Sequence, residues 1–113
     1  MKNKEIRVRC WVYIDGSKFF GPGRAELLSL IKESGSISKA AKAMGMSYKK
    51  AWAMIDEMNS LGQKPYVITQ KGGHQGGGTA LTETGKKAVA AYERLLHKIQ
   101  TTINRESTIL EFF

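Results

Sequence analysis

Ser47, Tyr48, Lys49 and Lys50 stand together at the start of an amphipathic stretch and offer hydroxyl and ammonium donors side by side. Lysines at such a place can donate to guanine O6 and N7 in a DNA major groove, and hydroxyls serve base edges or phosphates alike. Ser36, Ser38 and Lys39 open a shorter stretch just before it, where backbone N–H groups and a positive dipole end suit phosphate. Lys71, His74 and Gln75 lie in KGGHQGGG, a glycine-rich segment predicted to reach phosphate or the minor groove. This chemistry recognises and does not react. No Ser, His and Asp set or carboxylate pair follows from spacing, and His74 and His97, the only histidines, have no Cys or carboxylate at ligand spacing. No metal, no cofactor and no enzyme activity are expected. Gly73 and Gly78 keep the outer spacing of a phosphate loop, but Thr79-Ala80 replaces the required Lys and Ser or Thr, so a nucleotide site is not predicted.

The charge distribution favours a polyanionic partner. The 113 residues carry 18 Lys plus Arg against 10 Asp plus Glu, a net charge of +8. From Ser34 to Ile55 there are four lysines, Lys39, Lys42, Lys49 and Lys50, and no acid. Lys42 fits a solvated helix face as well as a DNA contact. Cys10 is the only cysteine, which excludes an intramolecular disulfide and a Cys-rich zinc module and fits a reducing, cytoplasmic setting. The apolar run near the start stops at Asp15, too short for a signal peptide core or a membrane span, so neither export nor a membrane location is expected.

The elements that must position these groups are legible from periodicity. Residues 6–14 alternate, with Ile6, Val8, Cys10, Val12 and Ile14 on one face and Trp11 and Tyr13 on the other, which predicts a half-buried strand. Asp15-Gly16 is a type I′ turn signal, and Ser17 to Phe20 returns as its partner, giving an N-terminal β-hairpin over 1–20. Three helices are predicted over 23–61: one ending at Gly35, a short one capped by Ser36 and ended by Gly45, and one from Ser47 to Leu61. The last buries a stripe of Ala51, Met54, Ile55, Met58 and Leu61. Ala41 and Gly45 have the spacing of a helix-turn-helix over 37–61. Trp52 is expected to seal the core edge, whereas Tyr48 either packs or stacks on a base or sugar. A wing over 65–82, with strands at 66–70 and 79–82, precedes a helix over 83–106. In it Ala88, Tyr92, Leu95, Leu96, Ile99 and Ile103 form one apolar stripe. The segment after it has no clear period.

These residues carry a family resemblance. GSISKAAKAMGMSYKKAWAMIDEMN, followed by GGHQGGGTALTETG and the long last helix, resembles the N-terminal winged-helix domain of the molybdate-responsive regulators of the ModE type, over roughly residues 17–105. The resemblance implies that the chain binds operator DNA as a homodimer. The helix from Ser47 would read the major groove, the wing would reach the flanking backbone, and the last helix would lie in the dimer interface. Full-length members carry oxyanion-binding domains after the winged helix. This chain stops where those begin, so molybdate or other oxyanion binding is not expected in it.

The expectation is therefore a single α+β, mostly helical domain over 1–113: a winged helix-turn-helix with an N-terminal β-hairpin and a long C-terminal dimerisation helix. Its partners are double-stranded DNA, through Ser36, Ser38, Lys39, Ser47, Tyr48, Lys49, Lys50, Lys71, His74 and Gln75, and a second copy, through Tyr92, Leu95, Leu96, Ile99 and Ile103. The alternative is a protein-interaction module that partners a separate sensor or regulator and has only nonspecific DNA affinity.

Overall fold

Asp15 and Gly16 adopt φ of 48° and 80°, the positive values a two-residue type I′ turn demands. A computed structural model of the chain, which describes residues 2–70 and 78–113, places them between β1 (Val12–Ile14) and β2 (Ser17–Phe20). The two strands are antiparallel with Ile14 opposite Ser17. Three helices follow, α1 (Pro22–Ser34), α2 (Ile37–Ala43) and α3 (Tyr48–Leu61). A second antiparallel pair, β3 (Val67–Gln70) and β4 (Gly78–Leu81), leads into α4 (Glu83–Arg105). A 3₁₀-helix, Ser107–Phe112, occupies the segment for which periodicity predicts nothing.

Local chemistry explains the boundaries. Gly35 closes α1 with φ of 67°, donating its N–H to Ile31 O at 2.8 Å. Ser36, Ser47 and Thr82 cap α2, α3 and α4, each side chain accepting a backbone N–H three residues on. One core joins these elements: Leu27, Leu28 and Ile31 of α1, Ile37, Ala40 and Ala41 of α2, and Ala51, Ile55 and Met58 of α3. Phe19, Phe20, Val67, Leu81, Val89 and Tyr92 close it.

The predicted strand over 6–14 is shortened to Val12–Ile14. Its partner β2 is short and a bulge interrupts the pairing after Val12, so residues 6–11 have no ladder. An alternating sequence becomes a strand only where a neighbour takes up its backbone groups. The segment is instead tied to α4 and to the chain after it: the Tyr92 hydroxyl donates to Cys10 O at 2.7 Å, and Lys4 Nζ donates to Leu110 O of the 3₁₀-helix and to Phe113 O at 3.2 and 2.8 Å. The predicted burial changes accordingly. Val8 and Val12 are exposed, and only Ile6, Cys10 and Ile14 are half-buried. Leu61, expected in the buried stripe of α3, is exposed at the last position of the helix.

Two junctions govern how the last helix sits. Gly85 faces the Tyr66 backbone carbonyl so closely that a Cβ there would strike the oxygen. That oxygen already accepts Thr82 N at 3.0 Å. In an open helix Gly→Ala stabilises by ~1 kcal/mol; here Gly85→Ala is expected to destabilise by about 1–3 kcal/mol through overpacking, measured by urea unfolding. Tyr92 packs edge-on to Phe20 at 5.2 Å. Burial, and then the charge of a Cys10 thiolate, raise its phenol above the ordinary 10.0. A raised folded value means that the neutral phenol favours the fold below the ordinary pKa and that this contribution is lost as pH climbs through the folded pKa. One of the four tyrosines should therefore ionise above the others in a phenolate absorbance titration, and Tyr92→Phe should abolish that late step.

The chain is elongated, 59 × 33 × 21 Å, with a radius of gyration of 17.2 Å against about 13 Å for a compact domain of this length. The cause is α4, about 35 Å long at 1.5 Å per residue, whose buried residues Gly85, Val89 and Tyr92 all lie in its first half.

Candidate nucleic-acid interface

Small residues let α2 and α3 meet. Ala40, Ala41 and Ala51 are fully buried between them, and Gly45 (φ 68°) turns the chain while Met46 N donates to Ala41 O at 3.0 Å. Ser47 Oγ then accepts Lys50 N at 3.0 Å, and Ser36 Oγ accepts Lys39 N at 3.1 Å. Each cap uses an oxygen lone pair, which leaves the hydroxyl proton for an outside acceptor.

The outer face of α3 is exposed at Tyr48, Lys49, Lys50 and Ala53. Lys39, Lys42, Lys49 and Lys50 are all exposed, and none forms an ion pair with another described residue. No acid lies in the first turn of α2 or α3, so their positive dipole ends stay uncompensated. Acids begin at Asp56 and Glu57, and Glu57 is engaged by Arg24 Nη2 at 2.6 Å. The positive field is thus concentrated on the first turns of α3, next to Ser38 and Lys39 on the neighbouring helix. Trp52 packs at the core edge, as its spacing predicts, whereas Tyr48 is 54% exposed with its ring edge-on to Trp52 at 6.3 Å.

The wing is anchored at both strands. Asn59 of α3 accepts Tyr66 N at 2.8 Å through Oδ1 and donates from Nδ2 to Val67 O at 3.1 Å. Thr79 N donates to Gly35 O at 3.0 Å. The register from Val67↔Leu81 to Gln70↔Gly78 directs the ribbon toward its tip. Lys71, His74 and Gln75, expected at the tip of the wing, lie outside the described residues.

Of the stripe expected at a subunit interface, Tyr92 is only 5% exposed and packs within its own subunit, Leu96, Ile99 and Ile103 are half-buried, and Leu95 is 43% exposed. Among the described residues no three His, Cys, Asp or Glu gather as metal ligands, and no helix is long and apolar enough to cross a membrane.

Sequence reasoning misses three residues of this surface. Arg24 joins Phe19 O at 2.5 Å to Glu57, and Asn59 joins α3 to the wing; both are contacts between elements with no local spacing to betray them. Ala53 has a signal, its place four residues after Lys49 on the outer face, where a methyl can meet a thymine methyl.

No family model matches the chain. It is 46% identical over 84 residues to the molybdenum transport protein ModE of Azotobacter vinelandii, covering 74% of this chain and 31% of that protein. It is 46% identical over 82 residues to the DNA-binding transcriptional dual regulator ModE of Escherichia coli K12, covering 73% and 31%. The chain thus spans about a third of the length of the curated relatives it matches. Among solved structures, a LysR family transcriptional regulator aligns with a TM-score of 0.53 at 26% identity, over 69% of this chain and 25% of that one.

Proposed function

We propose, for a chain whose winged helix-turn-helix is of the ModE type, that it is a cytoplasmic transcriptional regulator which binds a specific duplex DNA site as a homodimer and catalyses no reaction. The observation that carries this reading is the start of α3: Lys49 and Lys50 exposed and without ion partners among the described residues, on a Ser47-capped helix end free of acids. In this reading Lys49, Lys50, Tyr48 and Ser47 face base edges, and Ser36, Ser38 and Lys39 hold phosphate beside them. Lys71, His74 and Gln75 extend the contact from the wing. Leu95, Leu96, Ile99 and Ile103 supply the two-fold interface.

Selection of the purified protein from a random duplex library at about 0.15 M salt, where the Debye length is about 8 Å, tests it. The expected product is an inverted repeat with half-sites one helical turn apart. A second reading, a module that binds a partner chain and touches DNA only nonspecifically, is favoured by the exposed Val12, Tyr13 and Leu95. No enrichment from a folded protein would replace the first reading with the second.

A further inference from the structure

We propose that the segment after α4 is the docking element of the homodimer: the apolar side chains of the 3₁₀-helix Ser107–Phe112 seat in a concavity beside the first turns of α4 in a second copy, with the two α4 helices antiparallel. The inference rests on the homodimer reading and specifies its geometry.

The socket is a depression of about 270 Å³ between the hairpin and α4, lined by Val12, Phe20, Tyr66, Ala88, Ala91 and Leu95 among others, with no charged side chain in its lining. The knob is the most exposed apolar group described: Phe112 is 79% exposed, Phe113 76% and Ile109 52%. Exposed apolar surface of this kind marks an interaction site. Within one copy, knob and socket lie at opposite ends of α4, about 20 Å apart from Tyr92 to Glu106 at 1.5 Å per residue. A parallel pair would set socket against socket. An antiparallel pair sets each knob on the other copy's socket, the closed, isologous arrangement that identical chains favour.

One register satisfies the chemistry. With the two-fold axis at Ile99, residues equally far on either side oppose each other: Leu95 meets Ile103, Ala91 meets Ser107 and Ala88 meets Leu110. Lys87 comes opposite Glu111, and Arg94 within a turn of Glu106. All four charges are exposed, and none is in an ion pair with another described residue. In a chain of net charge +8, residues 106–113 hold two acids and no base, whereas Lys87, Arg94 and Lys98 border the free face of α4. Apolar and charged surfaces therefore match in the same register, which points to a second copy rather than an unrelated chain.

The test places single cysteines in a Cys10→Ser background. Ala91→Cys mixed with Ser107→Cys, the pair this register sets opposite each other, should give a disulfide-linked dimer in excess of either variant alone, since bridged Cα atoms must come within about 7 Å. In parallel, Ile109→Ser with Phe112→Ser should raise the dimer dissociation constant at least tenfold in sedimentation, with helicity by circular dichroism unchanged. A dimer that persists undiminished in that variant, with no 91–107 link, overturns the docking and leaves the homodimer reading standing. A link formed within one chain carrying both cysteines overturns it in favour of self-docking. A parent chain that stays monomeric at all concentrations sinks the homodimer reading and this inference with it.

Discussion

Lys49→Ala is expected to weaken binding to the selected operator by about 1–3 kcal/mol, roughly five- to 150-fold, because each good base-edge contact is worth that much discrimination. The exposed ammonium group has no ion partner among the described residues and stands on a capped helix end. Its loss therefore changes recognition and leaves the core under Ala51, Ile55 and Met58 intact. Binding to random duplex should fall far less. Lys71→Ala is the contrasting variant: a wing lysine on phosphate contributes alike to every sequence, so its removal should lower affinity uniformly and reduce the salt slope by about one. Measured together by titration over a range of salt, the pair separates reading from attraction. Equal losses on operator and random DNA for both variants would remove α3 from the role of base reader.

Asn59→Ala should cost about 2–4 kcal/mol of folding stability, since one side chain satisfies Tyr66 N and Val67 O and also lies 3.4 Å from Val67 N, and each orphaned polar group costs about 1–3 kcal/mol. For a domain of this size that is a fall on the order of 10 °C in melting temperature. The site is half-buried, so water replaces the lost partners only in part. Asn59→Asp keeps the Oδ1 acceptor and loses the Nδ2 donor, and its melting temperature should fall between the parent and the alanine variant. If alanine and parent melt alike, α3 does not hold the wing through this residue.

Short-range chemistry accounts for what could be read directly. The Asp15-Gly16 turn, the Ser36, Ser47 and Thr82 caps, and the left-handed Gly35 and Gly45 each depend on neighbours within about one turn of chain. The corresponding residue types stand at the corresponding spacings. The acid-free run of four lysines is equally local, and the resemblance to ModE-type regulators rests on the same contiguous residues.

What escaped the sequence reading requires a partner from elsewhere in the chain. The alternation over 6–14 specifies a face and provides no neighbouring strand, so residues before Val12 bond to α4 and to the 3₁₀-helix after it in place of a ladder. Arg24 reaches Glu57 across 33 positions and Tyr92 reaches Cys10 across 82, distances over which no periodicity carries information. The stripe on α4 is continuous as sequence, yet Tyr92 is consumed by its own core while Leu95 remains outside. Composition and local spacing thus determined the elements, the helix-turn-helix and its basic start. The tertiary structure alone decided which apolar residues stay exposed and what holds the wing, because burial and long-range hydrogen bonds are properties of packed elements and not of the order in which residues are joined.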